Sequence, residues 1–530
     1  MVIPINLDIE ADVLVIGGGL SGAWSAIAAA QQGASVVLVD KGYCGTSGVT
    51  ATAGPGHWWV DPDHRDEAIR VQSSRSGGLA DPGWMARVLD TTWRILPTLA
   101  SYYPFPVDDQ GITQYRALRG PEYLRALRQM AEDLGVRILD HSPALELLLH
   151  RDGSVAGARG IRRQAGGGSW CVRAGAVILA TGGCAFMSRL LGSQTNTGDG
   201  YLMAVEAGAE LSGMEFSNYY TVAPIYSTQT RSASYVFATY FDSDGAELDI
   251  DWGDGNRSLA KALLAGRVFC NLARMPQDLR DRLSQIQPAV LLSFARQGID
   301  PFTDKFEVTL RGEGTVRGSG GIRIIDENCQ TSVPGLFAVG DAATRELIAG
   351  AISGGGAQNS AWALTSGYFA GRGAARLVRG SGRRVHEEGI AIGKAGIHPA
   401  HSVMALDTRA IIAGVQQEME PFDKNIFRSG VGLRGSLTRL DALWQDVRNH
   451  LYAEGVDLIK ARESAALVAT ARWCYTAAFT RQESRGMHIR DDAPMPDPRF
   501  THRLLVGGLD QVWTQLDEGS EPESIASEAA

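Results

Sequence analysis

The chain has 530 residues and a net charge of −9, from 59 acidic and 50 basic residues. At about 150 residues per domain, this length predicts three or four folding units and excludes a single small binding module. Without a clustered basic face, a nucleic-acid partner is not expected. Glycine is the compositional outlier, at 63 residues where about 7% of a chain is typical.

The N-terminal stretch and the cysteines both bear on location and chemistry. The first residues lack the basic start and cleavage site of a signal peptide, and no apolar run reaches the ~18 residues of a membrane helix. We therefore expect a cytoplasmic protein without direct membrane insertion. The six cysteines are scattered without a CxxC pair, so buried thiols are expected and no metal site or cluster.

The first forty residues have the pattern of a βαβ unit. Residues 11–16 form a short β-branched run typical of a buried parallel strand. An Ala-rich stretch at 23–32 predicts a helix, and residues 35–39 predict a second strand that ends on Asp40. This order favours a dinucleotide-binding unit.

Three spaced glycines, Gly17, Gly19 and Gly22, lie at the turn from the first strand to the helix. Glycine there permits a tight turn, close approach of backbone N–H groups to a pyrophosphate, and close packing of helix on strand. The phosphate would lie at the helix N-terminus, where unpaired N–H groups favour an anion. Asp40 is placed to accept the hydroxyls of an adenosine ribose.

Further predicted strands and helices follow along the chain, and the C-terminal part is predicted to contain helices. Residues 123–134 predict an amphipathic helix, and a long Ala/Gly helix reaches about residue 376. The remaining predicted strands are 145–149, 155–161, 169–172, 176–179 and 336–339, and the predicted C-terminal helices are 408–419, 437–451 and 464–481. The simplest account is an α/β fold whose nucleotide-binding sheet is split around an insertion.

Several motifs occur in one order along nearly the whole chain. They are ADVLVIGGGLSGAWSA, the glycine segment from 47 to 56, AVILATGG, TGDGYLMAVEAGAELSGMEF, GGIRIIDENCQTSVPGLFAVGDA, NIFRSG and ESRGMHIRDD. In this the chain resembles the flavoprotein subunit family of succinate dehydrogenase and fumarate reductase. That family also includes L-aspartate oxidase and the adenylylsulfate reductase flavoprotein.

The resemblance implies a split Rossmann-like FAD-binding domain, an inserted capping domain and a C-terminal helical domain. The expected boundaries are 1–215 and 320–395 for the two parts of the FAD-binding domain, 216–319 for the cap, 396–516 for the helical domain, and 517–530 for a disordered tail. It also implies FAD as the cofactor.

Family roles transfer to matching positions of this chain. The first-turn glycines would contact the FAD pyrophosphate, and Asp40 the ribose. The other residues expected along the cofactor are Lys41, Ser47, Thr52, Ala53, Gly54, Ala144, Ala180, Thr181, Gly182, Asp199, Asp341, Asn359 and Ser360. Of these, Ala144 is expected near the adenine, Asp341 near the ribityl chain and Asn359 near the pyrimidine end of the flavin.

The chain departs from the family at positions that bear on flavin and substrate. Gly48 stands where covalently flavinylated members have a His, so FAD is expected to bind without a covalent link. Tyr220 and Val316 replace two carboxylate-binding His residues, and the clamping Arg is lost to Gly355. A dicarboxylate would lack its charged partners, so fumarate, succinate and aspartate are not the expected substrates.

Two residues are candidates for the proton donor. Arg257 occupies the place where relatives carry a catalytic Arg in the cap, although a solvent-facing helix Arg remains an alternative. Tyr220 can act as a general acid or pack at the domain interface. Tyr219, Arg231 and Arg317 are also expected near the cleft.

The resulting hypothesis is an FAD-dependent oxidoreductase that moves a hydride between flavin N5 and a small organic substrate. No second nucleotide fingerprint or cluster ligands occur in the chain, so a separate ferredoxin-like iron-sulfur protein is the expected electron-transfer partner. Two alternatives remain: a flavoprotein like that of adenylylsulfate reductase, with a sulfur oxyanion as its substrate, or a flavin electron-transfer subunit without its own substrate.

Overall fold

The computed structural model describes residues 5–519, apart from 109, 117, 165–167, 230–232, 252, 287, 382–386, 402–403 and 405. Arg231 and most of the tail expected at 517–530 lie outside the described residues. The strands are β1 Ile5–Ile16, β2 Val36–Val39, β3 Arg137–Leu139, β4 Ala144–Leu149, β5 Val155–Ile161, β6 Ser169–Leu179, β7 Leu211–Ser212, β8 Tyr219–Pro224, β9 Thr239–Phe241, β10 Glu247–Leu248, β11 Val268–Asn271, β12 Phe306–Glu313, β13 Gly321–Ile322, β14 Leu336–Ala338, β15 Ile390–Ala391, β16 Leu504–Gly507 and β17 Trp513–Leu516.

The helices surround these strands and make up most of the C-terminal part. They are α1 Leu20–Gln31, α2 Arg65–Arg75, α3 Pro82–Ile95, α4 Gly120–Asp133, α5 Asp199–Glu206, α6 Arg257–Ala265, α7 Gln277–Ile286, α8 Pro288–Ala295, α9 Gly314–Arg317, α10 Glu346–Ala349, α11 Gly355–Ser381, α12 Thr408–Met419, α13 Phe422–Asn425, α14 Gly430–His450 and α15 Asp457–Thr480.

The main sheet has the order β15-β4-β5-β6-β1-β2-β3, and β14 also pairs with β6. Strands β1, β2, β6 and β14 run parallel to one another. The two strands predicted at 169–172 and 176–179 are one continuous strand, β6. Arg173 in its middle forms ion pairs with Asp8 and Glu10 on β1 at 2.8 and 3.0 Å, so a charge interrupts the apolar run without ending the strand.

Helices α1 and α11 pack against each other on this sheet, and two glycines set their separation. A Cβ at Gly371 would lie 2.2 Å from the carbonyl oxygen of Ser25, and one at Gly367 would lie 2.4 Å from that of Ser21. No side chain fits at either position, so the two backbones come close together. This packing fixes the helix that begins at the first glycine turn against the end of the sheet.

A second, antiparallel sheet with the order β10-β9-β11-β12-β8 lies between β7 and β14 in the chain. Its strands and helices α6 to α8 enclose a separate apolar core that includes Val222, Val268, Phe294 and Phe306. The α/β fold with a split parallel sheet and an inserted cap is therefore confirmed. We refer to residues 219–313 as the cap.

The C-terminal part is helical, as predicted, and ends in a hairpin that was not predicted. Helices α14 and α15 begin several residues before the expected 437 and 464. Strands β16 and β17 pair with each other, and β16 pairs with β7 of the first part of the chain. Among the described residues, no helix is long and apolar enough to cross a membrane, and no cluster of His, Cys, Asp or Glu could hold a metal ion.

A buried Arg of α15 joins the helical part to the main sheet. Arg462 donates to both the Glu206 carboxylate at 2.9 Å and the Leu145 carbonyl at 2.8 Å, and both partners of the ion pair are nearly inaccessible. Because the acid would remain buried, removing only the cation leaves an uncompensated charge.

We expect Arg462→Ala to cost about 3–5 kcal/mol of stability, because Glu206 loses its buried partner. Arg94→Ala, which removes an exposed i,i+4 partner of Asp90, should cost under about 1 kcal/mol. Scanning calorimetry would compare the melting temperatures of the two variants with that of the wild type. Equal melting temperatures for both variants would contradict a bridging role for Arg462.

Candidate active site

A cavity lies at the carboxyl ends of the parallel strands β1, β2 and β6. We call it the strand-end cavity. Most residues that the sequence predicted along the cofactor line this cavity. They are Gly17, Gly19, Asp40, Lys41, Ser47, Ala144, Ala180, Thr181, Gly182, Asp199, Asp341, Asn359 and Ser360. Ligands of open α/β sheets bind at this edge. The fold therefore brings together residues that are spread over more than three hundred positions of the sequence.

The first glycine turn is packed tightly on one side and open on the other. Gly17 has a φ of 109°, and a Cβ there would lie 2.3 Å from the carbonyl oxygen of Ala180. A Cβ at Gly22 would lie 1.8 Å from the Gly17 carbonyl oxygen, so this glycine serves helix packing and does not line the cavity. Gly19 has nothing within 4 Å of its Cβ position and faces the cavity.

Asp40 holds the turn as well as lining the cavity. Its carboxylate accepts hydrogen bonds from the backbone N–H groups of Gly18 at 2.5 Å and Gly42 at 2.6 Å. An ionised carboxylate has further lone pairs, so these bonds leave capacity for a ribose hydroxyl. Its predicted contact with the ribose stays a prediction.

Lys41 belongs to a polar cluster that sequence reasoning found only in part. Its ammonium donates to Asp199 at 2.6 Å, Glu463 at 2.9 Å and Thr197 at 3.0 Å. Burial lowers the pKa of Lys41, but the two carboxylates outweigh it, and the net pKa lies above that of a free lysine. Glu463 lies on α15, and nothing in the local sequence indicated its contact with Lys41.

Two lining residues carry buried polar atoms without a partner in the described part of the chain. They are the hydroxyl of Thr181 and the side-chain carbonyl oxygen of Asn359. Buried polar groups are nearly always hydrogen-bonded, so these atoms fit a bound polar ligand. Together with the open face of Gly19, they fit the predicted dinucleotide.

A second cavity of about 490 Å³ lies between the cap and the main domain. We call it the cap cavity. It shares the lining residues Val49, Thr50, Asn359 and Ser360 with the strand-end cavity, so the two spaces meet there. Ala53 and Gly54, which were expected along the flavin, line the cap cavity, whereas Thr52 lines neither. The Thr52 hydroxyl donates to the Val49 carbonyl at 3.2 Å.

The predicted proton donors Arg257 and Tyr220 both contact the C-terminal domain. Arg257 donates to the Ile426 carbonyl at 2.9 Å and to the Asp491 carboxylate at 2.7 Å, and it does not line the cap cavity. The Tyr220 ring lines this cavity, but its hydroxyl donates to the Glu420 carbonyl at 2.9 Å. Burial raises the pKa of this phenol further. The catalytic roles of both residues stay predictions, and their bonds do not favour them.

A different pair presents polar groups to the cap cavity. Arg317 and Tyr219 both line it, and the guanidinium donates to the Tyr219 hydroxyl at 3.3 Å. Tyr219 directly precedes Tyr220, the position where the resemblance implied the loss of a carboxylate-binding His. The sequence placed both residues near the cleft without assigning them a role.

The three positions where dicarboxylate ligands were expected to be lost do not all lie at the cap cavity. Val316, Tyr220 and Gly356 line it, whereas Gly355, which was expected to replace the clamping Arg, begins α11 and does not. An apolar side chain, a phenol and a glycine offer no second cation for a carboxylate. Among the described lining residues, Arg317 is the only cation, and none is acidic.

His57, Trp58 and Trp59, which follow the flavin-facing glycines, pack away from both cavities. His57 lies 3.2 Å from the Tyr123 hydroxyl, and burial lowers the pKa of His57 to about 3. Its imidazole is therefore neutral. Trp59 stacks on Trp93 with ring centroids 4.3 Å apart.

Comparisons with known proteins agree with this geometry. Residues 12–225 match the FAD binding domain family, and residues 416–514 match the fumarate reductase flavoprotein C-terminal family. The chain is 26% identical to the L-aspartate oxidase of Streptomyces coelicolor, covering 94% of this chain and 91% of that protein. It is 25% identical to a fumarate reductase (CoM/CoB) subunit of Methanothermobacter marburgensis, covering 94% and 97%.

The fold is also shared with solved structures. A quinol fumarate reductase of E. coli superposes with a TM-score of 0.80 at 20% identity, covering 96% of this chain and 97% of that chain. This likeness concerns the fold. The match to the FAD binding domain family identifies the cofactor as FAD.

We expect Gly19→Ala to weaken FAD binding at least about tenfold, because the new methyl group points into the strand-end cavity. The apoprotein should keep its melting temperature, since Gly19 has a φ of −74° that alanine adopts freely. Gly380→Ala, whose Cβ position is also open but lies at the end of α11, is the matched control. Unchanged flavin affinity in Gly19→Ala would contradict the placement of the cofactor.

The glycine at position 48 predicts that the flavin is not covalently attached. Acid precipitation of the yellow protein should leave the flavin absorbance in the supernatant. Flavin that remains on the washed precipitate would contradict this expectation.

Proposed function

We propose that this chain, an FAD-dependent oxidoreductase of the succinate dehydrogenase and fumarate reductase flavoprotein family, transfers a hydride between flavin N5 and a carbon atom of a small organic substrate other than fumarate or succinate. The observation that carries the proposal is the junction of the two cavities at Val49, Thr50, Asn359 and Ser360. A cofactor in the first cavity can meet a substrate in the second only at this junction.

The chain's own residues would hold the cofactor, and the flavin supplies the redox chemistry when bound. The first glycine turn and the N-terminus of α1 offer backbone N–H groups to the pyrophosphate. Asp40 offers carboxylate oxygens to the ribose, and Asn359 offers an unpartnered carbonyl oxygen where the cavities meet.

The cap cavity does not suit the dicarboxylates of the named relatives. A carboxylate in a cavity requires charge-assisted hydrogen bonds, and two carboxylates require two sets of them. The described lining supplies one cation, Arg317, and Tyr220 and Val316 stand where the resemblance implies the loss of two carboxylate-binding His residues. We therefore propose a substrate that needs at most one anionic contact.

Contacts between the cap and the C-terminal domain support exclusion of water from this cavity. The Tyr220 hydroxyl bonds to the Glu420 carbonyl, and the amide of Asn218, which directly precedes the cap, donates to the Met487 carbonyl at 2.8 Å. Arg257 adds its ion pair with Asp491. These bonds hold the cap closed over the junction, and a closed site strengthens the polar interactions within it.

Hydride transfer with the substrate changes the redox state of the flavin. A second partner must therefore exchange electrons with the flavin in each cycle. The sequence carries one dinucleotide fingerprint and no cluster-ligand spacing. We propose that a separate ferredoxin-like iron-sulfur protein is the partner, in line with the resemblance of the chain to flavoprotein subunits.

We expect reduced, FAD-loaded protein to be reoxidised by fumarate no faster than by buffer, because the described lining of the cap cavity holds no second cation for a second carboxylate. Oxidised protein should likewise not be bleached by succinate or L-aspartate. Anaerobic stopped-flow absorbance of the flavin band measures both. Fast reoxidation by fumarate would contradict the proposed substrate range.

A panel of unsaturated acids, ketones and quinones tests the hydride transfer itself. The proposal expects at least one of them to reoxidise the flavin. Failure of the whole panel, with the iron-sulfur partner also present, would favour an electron-transfer subunit. A sulfite adduct that forms at micromolar sulfite would favour the sulfur-oxyanion alternative instead.

A further inference from the structure

Arg317 is a cation in the cap cavity without an acidic partner among the described residues that line it. It ends the short helix α9, and its Nη2 donates to the Tyr219 hydroxyl at 3.3 Å. Its Nε is buried and has no hydrogen-bond partner in the described structure. A half-buried cation whose buried Nε lacks a hydrogen-bond partner is costly, so its place at a cavity indicates a ligand.

The surroundings of Arg317 keep it charged and ready to bind an anion. Burial lowers the pKa of the guanidinium, but Tyr219 and Glu313 outweigh it, and the net pKa lies above that of a free arginine. Glu313 is fully buried, and its carboxylate accepts a hydrogen bond from the Thr221 hydroxyl. Glu313 thus acts on Arg317 through space and leaves the Nε unpartnered.

Tyr219 has a hydroxyl that can donate to the same ligand. It accepts the Arg317 hydrogen bond, which leaves its own proton available. The neighbouring Tyr220 differs, because its proton is shared between the backbone carbonyls of Met419 and Glu420. Of two adjacent phenols, Tyr219 is therefore the one able to bind substrate.

The rest of the cavity is suited to an apolar body. Its wall is formed by aromatic and β-branched side chains: Tyr219, Tyr220, Val222, Tyr235, Val236 and Val316. A volume of about 490 Å³ is in the range of small-ligand sites. Aromatic walls favour stacking or edge contacts with a planar ligand.

We propose that Arg317 and Tyr219 bind the carboxylate of a monoanionic substrate whose planar apolar body lies against the tyrosines and valines of the cap cavity. This inference rests on the proposed function only for the location of the substrate. A guanidinium binds a carboxylate through two parallel hydrogen bonds, and the free Nε belongs to one such edge. A second carboxylate would lie against Val316 without a second cation among the described lining residues, which disfavours dicarboxylates.

Binding of benzoate to the oxidised, FAD-loaded protein tests the site without turnover. Benzoate has one carboxylate on a planar ring; benzamide, of nearly the same shape, has no charge, and succinate has two carboxylates. Isothermal titration calorimetry and the perturbation of the visible flavin spectrum report binding independently. The variants are Arg317→Met, Arg317→Lys and Tyr219→Phe. Arg274→Met, at an exposed position of the cap paired with Glu247, is the matched control.

We expect wild type and Arg274→Met to bind benzoate equally. Arg317→Met should weaken benzoate binding at least tenfold, with benzamide binding unchanged. Arg317→Lys should recover part of the loss, because it keeps the charge but not the planar fork. Tyr219→Phe should weaken benzoate less than Arg317→Met. Flavin absorbance per protein must be the same in all variants, which shows that each is folded and loaded.

Three results would overturn the proposal: no benzoate binding by the wild type, equal benzoate affinity in Arg317→Met, or tighter binding of succinate than of benzoate. Failure of the proposed function is distinguishable from these. If benzoate binds through Arg317 but no compound exchanges electrons with the flavin, the hydride transfer fails and the binding site stands. If a substrate turns over with the same kcat/KM in Arg317→Met as in the wild type, the hydride transfer stands and the Arg317 binding site fails.

Discussion

The site depends on how closely the backbone of the first glycine turn approaches the end of β6. A Cβ at Gly17 would lie 2.3 Å from the carbonyl oxygen of Ala180, and one at Gly22 would lie 1.8 Å from the Gly17 carbonyl. Only glycine satisfies both distances. Because Gly17, Gly19 and Gly22 carry no side chains, the N-terminus of α1 remains open to an anionic cofactor. This close approach of backbone segments explains part of the glycine excess of the chain.

A buried arginine links this edge to the cap cavity. Arg345 is 1% exposed, and it donates to the carbonyls of Thr315 at 2.8 Å and Val316 at 3.0 Å while pairing with Asp341. Asp341 follows β14 of the main sheet, whereas the two carbonyls belong to the segment that carries Arg317. The main domain thus fixes the backbone on either side of the junction between the cavities. The same contacts fix the segment that carries Arg317 relative to the main sheet.

The sequence predicted the elements around the strand-end cavity better than the side-chain contacts at the cap cavity. Buried parallel strands are continuous apolar runs, and backbone geometry requires the glycines of the turn. Both features can therefore be predicted from a short stretch of sequence. Arg173 misled the strand prediction because its charge is neutralised by Asp8 on the neighbouring strand, a contact that local pattern does not contain. The pairing of Arg317 with Tyr219 joins residues 98 positions apart. Which side chains point into the cap cavity is decided by such tertiary contacts.

The central claim is that the two cavities form one site, with the flavin at their junction and Arg317 facing the substrate side. A crystal structure of the FAD-loaded protein soaked with benzoate tests it most directly. We predict the isoalloxazine ring beside Asn359 and Ser360, and the benzoate carboxylate within hydrogen-bond distance of Arg317 and Tyr219. An isoalloxazine ring outside the junction, or benzoate bound away from Arg317, would contradict it.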